Sequence, residues 1–223
     1  MMKRIRKPAV AGSFYPSDPG VLRTTVDTLL AEAKGWHGAA PLALVAPHAG
    51  YVYSGPVAAS AYACLKPFRE RYRRVVLLGP AHRAAVRGIA LPDVDAFASP
   101  LGDVALDRET MDALDGPDVM VDDAAHRLEH SLEVHLPFLQ YVLDGFTLVP
   151  ILVGDADPEL VARALDALRV GLGEGAERFL EIHLSAPIET CRQRGHPPWV
   201  PIAATVCERR RGKPAPVVPF AVA

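Results

Sequence analysis

The chain has 223 residues, half of them hydrophobic, and a formal net charge of −2, which suits one globular domain with a buried core. The nearly balanced charge, with a single basic block at 209–211, argues against nucleic-acid binding over the whole domain. No stretch approaches the roughly 18 apolar residues of a membrane span, and three widely spaced cysteines do not form a disulfide framework. We therefore expect a cytoplasmic protein that binds a small molecule or another protein.

The first half of the chain predicts a turn-rich arm followed by two strand-turn-helix units. The arm covers 6–15, and the sequence Ser-Asp-Pro at 17–19 predicts the start of a helix. The apolar residues of this helix are Val21, Leu22, Val26, Leu29 and Leu30. Short apolar runs at 42–46 and 75–78 are typical of buried parallel strands, and an alanine-rich helix is predicted from Gly55-Pro56 to about Leu65.

The second half predicts shorter strands and then two more strands separated by a helix. Short strands and turns are expected over 88–106, with a loop at 97–102, and another short strand at 119–121. A helix with Pro137 in its first turns follows a polar cluster. The run at 147–153 predicts a third buried strand, 158–172 an amphipathic helix, and 179–182 the start of a fourth strand. This order predicts an α/β fold with a mixed or mostly parallel central sheet flanked by helices.

Two histidines each follow a buried strand at a glycine-containing turn. His48 lies in Pro-His-Ala-Gly after the first strand, and His82 lies in Gly-Pro-Ala-His after the second. Ligands of α/β proteins bind at the carboxyl ends of strands, so imidazoles delivered there from two neighbouring strands are expected to meet. Either a metal pair or an acid/base pair fits this placement.

A polar cluster spans 126–135. On a helix, His130 and Glu133 would share a face, and Glu129, His130 and Glu133 are chemically suited to support a metal or a base. Polar density of this kind also marks an ordinary solvated helix end. His135 is a further candidate for the site, whereas His37 and His126 are expected at the surface.

Other motifs narrow the chemistry. The polar cluster lacks the His-Glu-x-x-His spacing of zinc proteases, and the chain has no phosphate-binding glycine loop and no Gly-x-Ser-x-Gly elbow. Tyr15, Tyr51 and Tyr53 lie near the glycine-containing turns. They are expected either to line a pocket or to pack as core aromatics.

Four segments carry a resemblance to a known family. They are Ala-Gly-Ser-Phe-Tyr-Pro at 11–16, Ala-Pro-His-Ala-Gly-Tyr-Val-Tyr-Ser-Gly at 46–55, Leu-Gly-Pro-Ala-His at 78–82 and Glu-His-Ser-Leu-Glu-Val-His-Leu-Pro at 129–137. In this order they resemble the signature segments of the Memo family, which includes the AmmeMemoRadiSam system protein B. The match extends over roughly 6–155.

The resemblance implies a fold like that of class III extradiol dioxygenases. It also implies a metal site in which His48 and His82 are the first two ligands, with His130 beside them. The partners it implies are radical SAM and AMMECR1-like proteins of the same system, besides a small-molecule or peptide ligand. From this we expect a Memo-like domain over 1–182.

The segment after 182 departs from the family pattern. Where the family places a Ser-Asp-x-Ser/Cys-His-like segment, this chain reads Glu-Ile-His-Leu-Ser-Ala-Pro at 181–187 and then a mixture of Pro, Arg and Ala. His183 or Cys191 is a candidate substitute for the missing ligand. We hypothesise that 183–223 is a divergent or out-of-register tail produced by a frameshift, which would impair metal binding.

The function expected from these observations is that of a Memo-like metal-binding protein, and, if enzymatic, of a non-haem iron oxidoreductase. His48 and His82 would bind Fe²⁺, with copper or zinc as alternatives, and His130 would act as acid or base. Tyr15, Tyr51, Glu129 and Glu133 are predicted to contact the substrate. The alternatives are a peptide- or ligand-binding module without turnover and a metal-dependent hydrolase.

Overall fold

The structure is a computed structural model that describes residues 3–172 and 179–185, with side chains described as far as 168 and at 179–182. The helices are α1 (Pro19–Glu32), α2 (Tyr51–Ala63), α3 (Arg108–Asp112), α4 (Asp123–Arg127), α5 (Leu136–Val142) and α6 (Pro158–Leu172). The strands are β1 (Ile5–Arg6), β2 (Ala43–Pro47), β3 (Arg74–Pro80), β4 (Ile89–Leu91), β5 (Ala96–Ser99), β6 (Gly102–Ala105), β7 (Val119–Val121), β8 (Thr147–Val153) and β9 (Phe179–Ser185). Short 3₁₀ helices occupy Lys66–Phe68 and Glu133–His135.

The strands form two sheets. The larger one has the order β2-β9-β3-β8-β4-β7, and only the β8/β4 pair is antiparallel. The smaller one has the order β1-β5-β6, in which β1 runs parallel to β5 and β5 pairs with β6 as a hairpin. The predicted α/β class with a mixed, mostly parallel sheet is therefore confirmed.

The core lies between the larger sheet and its helices, because β3 and β8 are buried along almost their whole length. Fully buried strands read as continuous apolar runs, which is why these two were visible in the sequence. Helix α1 begins at an Asp18 cap whose carboxylate accepts a hydrogen bond from the Val21 amide at 2.8 Å. No helix in the described part of the chain is long and apolar enough to cross a membrane.

The structure departs from the predicted elements in three places. Helix α2 begins at Tyr51 and runs through the Gly55-Pro56 pair, so Pro56 lies inside the helix, where it cannot donate a backbone hydrogen bond. The predicted loop at 97–102 is the β5/β6 hairpin. Val21 is 56% exposed, so it does not belong to the buried face of α1, which is formed by Leu22, Val26 and Leu30.

Candidate metal centre

Three histidines from distant parts of the chain meet at the carboxyl ends of β2 and β3. The Nε2 atoms of His48 and His82 lie 3.1 Å apart, and each of His48, His82 and His130 offers a ring nitrogen within 4.8 Å of the other two. The ring of His130 stacks on that of His82 with a centroid separation of 5.0 Å. Among the side chains that the structure describes, this is the one cluster with the composition of a metal site.

The strands that deliver His48 and His82 are not neighbours, contrary to the expectation. Strand β9 lies between β2 and β3 and pairs with both. The two imidazoles still meet, because His48 directly follows β2 and His82 lies two residues beyond the end of β3. The loops that follow β2 and β3 therefore bring the two imidazoles together across the intervening strand β9.

His130 does not lie on a helix. It occupies the turn between α4 and the 3₁₀ helix at Glu133–His135. The prediction that His130 and Glu133 share a helical face is therefore wrong, and the two side chains have separate surroundings.

The three imidazoles differ in burial. His48 is 4% exposed, His130 is half-buried and His82 is exposed. Burial, followed by the nearby His82 and His130 rings, lowers the pKa of His48 to about 4. His48 is accordingly neutral at pH 7, the form in which imidazole binds a metal.

The Glu129 carboxylate joins the loops that carry His82 and His130. Its Oε2 accepts hydrogen bonds from the amides of His82 at 2.5 Å and Arg83 at 3.2 Å. Its Oε1 accepts from the amides of His130 at 2.8 Å and Ser131 at 2.9 Å. The Ser131 hydroxyl adds a second link by donating to the carbonyl of Pro80 at 2.9 Å.

Glu129 also lies next to the His130 ring. Its Oε1 is 3.1 Å from Nδ1 of His130, although the two atoms are not aligned for a hydrogen bond. Burial by itself raises the pKa of Glu129, but contact with the His130 ring and the amides that the carboxylate accepts outweigh it and hold the pKa well below its usual range. Glu129 is therefore a carboxylate at neutral pH.

Glu133 is directed at the N-terminal arm. Its carboxylate accepts hydrogen bonds from the amides of Ala9 at 2.8 Å and Val10 at 2.9 Å, from the Tyr15 hydroxyl at 2.6 Å and from Arg6 at 2.7 Å. Of the two carboxylates in the polar cluster, Glu129 thus lies beside the His130 ring, whereas Glu133 contacts the N-terminal arm.

The tyrosines near the turns divide by burial. Tyr15 and Tyr51 are buried, and the Tyr51 hydroxyl donates to the carbonyl of Val134 at 2.8 Å. Tyr53 is 85% exposed. The predicted substrate contacts of Tyr15, Tyr51, Glu129 and Glu133 stay a prediction. In the structure the polar atoms of all four side chains bond to protein groups.

Two other histidines of the cluster are buried outside the triad. His126, expected at the surface, is 2% exposed, and its Nε2 lies 3.0 Å from the carbonyl oxygen of Ala90. That expectation is wrong, because α4 packs this side chain against β4 and Phe97. His135 is 1% exposed, and its Nδ1 lies 2.7 Å from the Tyr62 hydroxyl.

The donor set fits a metal ion. Two imidazole nitrogens 3.1 Å apart can both reach one ion at the roughly 2.1 Å length of a metal–imidazole bond. The remaining ring nitrogen of His48, Nδ1, is buried without a hydrogen-bond partner among the described residues. The candidate third ligands His183 and Cys191 lie outside the described side chains, although the His183 backbone pairs with Val45 and Leu78.

Fold and site together define an α/β protein with a histidine cluster at the strand ends, able to hold a metal ion. A family profile described as "Memo-like protein" matches residues 6–180. The chain belongs to this family, as its signature segments predicted.

Curated relatives support the same family assignment. The chain is 36% identical to a MEMO1 family protein of Archaeoglobus fulgidus over 85% of its own length and 71% of that protein. It is 44% identical to one of Methanosarcina barkeri over 70% of its length and 57% of that protein, and 42% identical to one of Aquifex aeolicus over 67% and 55%. It thus spans less than two thirds of the length of the latter two.

Sequence reasoning missed two residues of the arm that contact the site. Phe14 lies against the His130 ring with a centroid separation of 4.8 Å, and its carbonyl accepts a hydrogen bond from the Tyr51 amide at 2.8 Å. Arg6 is buried beneath the His130 turn. Arg6 had no local signal, because its partners in 126–133 lie at least 120 positions away. Phe14 belongs to the signature segment at 11–16, which could have singled it out.

Proposed function

We propose that this protein binds one transition-metal ion at His48 and His82 and acts as a non-haem iron oxidoreductase, with His130 as the acid or base beside the metal. The observation that carries the proposal is the convergence of three imidazoles within 4.8 Å. Imidazole ligands suit Fe²⁺, Cu²⁺ and Zn²⁺, and Fe²⁺ held by few protein ligands keeps open positions and supplies redox chemistry.

The protein side chains have distinct tasks in this proposal. His48 is kept neutral by burial, so its lone pair is available without competition from a proton at pH 7. Glu129 holds the backbone of His82 and that of His130 with one carboxylate. The His130 ring stacks on that of the exposed His82, so it lies within reach of a ligand at the metal.

Metal binding is tested by anaerobic reconstitution of the full chain. We expect about one Fe²⁺ per chain in the wild type and loss of stoichiometric binding in His48→Ala and in His82→Ala, because each removes one of two facing nitrogens. The matched control is His37→Ala, which removes an exposed imidazole. Calorimetric titration and metal analysis give the readout, and unchanged affinity in both site variants would refute the assignment.

His130→Ala separates the acid/base task from ligation. We expect this variant to keep the metal and to lose turnover or ligand binding by about 10²-fold or more, the usual contribution of a positioned acid or base. A drop in Tm with unchanged site chemistry would mean that His130 is a structural residue.

The identity of the retained metal distinguishes the mechanisms. Iron supports the oxidoreductase, zinc would indicate metal-assisted hydrolysis, and a metal-free protein with full ligand affinity would indicate a binding module.

A further inference from the structure

The buried side chain of Arg6 contacts the segment 126–133, which carries His130. Its Nε donates to the carbonyl of His126 at 2.7 Å, its Nη1 to the Glu133 carboxylate at 2.7 Å, and its Nη2 to the carbonyl of Glu129. All three acceptors lie within 126–133. The guanidinium carbon also lies 5.0 Å from the centre of the Phe97 ring, a favourable position for a cation.

This arrangement uses all three nitrogens of the guanidinium as donors. A guanidinium presents five N–H donors in a rigid planar fork, whereas lysine is a flexible point charge. Arg6 and Glu133 are 5% and 0% exposed, and a buried ion pair is tolerated only when the remaining polar atoms are also satisfied. Here the two carbonyls and the amides of Ala9 and Val10 satisfy them.

The contacts of Arg6 reach the metal centre in two steps. Arg6 binds the carbonyl of Glu129, and the Glu129 carboxylate binds the amides of His82 and His130. Phe14 of the same arm lies against the His130 ring. The arm therefore contacts the His130 turn both at its backbone and at the imidazole ring.

We infer that Arg6 is a positioning residue of the metal centre, which sets the placement of His130 and, through Glu129, of His82. This inference rests on the proposed function, because it assigns Arg6 an effect on metal binding in addition to its effect on stability. Residues that orient ligands in this way typically change metal affinity by about 10–100-fold when mutated.

The test compares Arg6→Lys with Arg4→Lys. Arg4 lies two residues before Arg6 and forms an exposed ion pair with Asp93, so its substitution controls for the charge and length of the side chain. With Co²⁺ as the probe, we expect Arg6→Lys to weaken binding about tenfold and to alter the visible absorption spectrum of the saturated protein. Arg4→Lys should leave both unchanged.

A purely structural role for Arg6 would give a different result. Arg6→Lys would then lower Tm while cobalt affinity and spectrum stayed as in the wild type, and the inference would be overturned. If Arg6→Lys gives no folded protein, Glu133→Gln weakens the same buried contact while keeping its shape. Cobalt affinity unchanged in Glu133→Gln would equally overturn the inference.

Failure of the proposed function is recognised separately. A wild type that binds neither Co²⁺ nor Fe²⁺ refutes the metal site, and Arg6 is then assessed in the metal-free protein. Hydrogen exchange of the amides of His82, His130 and Ser131, which Glu129 accepts, should be faster in Arg6→Lys than in Arg4→Lys. Equal exchange would show that Arg6 does not hold these loops.

Discussion

Three buried histidines, His48, His126 and His135, have pKa values below the ordinary value of histidine. Burial lowers the pKa of all three, and the neighbouring imidazoles add to this at His48. At His126 the carbonyl of Ala90 opposes the shift, and the pKa still falls to about 4. His135, whose Nδ1 contacts the Tyr62 hydroxyl, has a pKa well below its usual value.

The lowered pKa of His126 predicts that the folded protein becomes less stable as the pH falls. A histidine with a folded pKa of about 4 and an ordinary pKa of 6.5 contributes its full stability above pH 6.5 and loses it as the pH falls towards 4, because the unfolded chain binds the proton first. Between pH 7.5 and 4.5 this one group should account for roughly 2 to 3 kcal/mol of the free energy of unfolding.

The measurement is urea denaturation at both pH values. His126→Gln keeps a donor that can reach the Ala90 carbonyl but does not titrate, so its stability should fall by roughly 2 to 3 kcal/mol less than that of the wild type. His37→Gln, which replaces an exposed histidine, should behave as the wild type does. An equal loss in all three proteins would contradict the prediction.

The connection after β8 depends on a close approach of two backbones. The amide of Gly154 donates to the carbonyl of Gly88 at 3.0 Å, and that of Asp155 to the carbonyl of Val86 at 2.8 Å. A Cβ atom at position 154 would lie 2.0 Å from the carbonyl oxygen of Val86. Only glycine therefore lets this segment close next to the antiparallel β8/β4 pair.

Gly154→Ala should destabilise the protein by about 3 kcal/mol, because the clashing atoms are backbone and cannot rotate away. Gly35→Ala is the matched control, since a Cβ there would lie 3.6 Å from the His37 ring, an ordinary contact. Its free energy of unfolding should change by less than about 0.5 kcal/mol. Similar denaturation midpoints for the two variants would show that the backbone at 154 moves freely.

Metal binding and folding of the whole molecule are coupled if the centre forms only in the folded state. Free Fe²⁺ at 100 times its dissociation constant should then stabilise the wild type by about 2.7 kcal/mol. The double variant His48→Ala/His82→Ala should gain nothing, whereas His37→Ala should gain as much as the wild type. Anaerobic thermal unfolding measures this, and an equal rise of Tm in the double variant would indicate binding elsewhere.

The sequence by itself determined the class of fold and the family, and it singled out all three histidines of the cluster. Strand β8 and helix α6 match their predicted bounds, because a buried strand is a continuous apolar run and an amphipathic helix repeats every 3.6 residues. His48 and His82 were recognisable because a strand end is a local feature of the chain.

Only the tertiary structure decided how these pieces meet. The insertion of β9 between β2 and β3, the separation of Glu133 from His130 and the contact of Arg6 with the His130 turn have no local pattern. Arg6 and Glu133 are 127 positions apart, and their pairing follows from the packing of the arm on the domain. Hydrophobic periodicity reports which face of an element is buried, but it does not report which distant element covers that face.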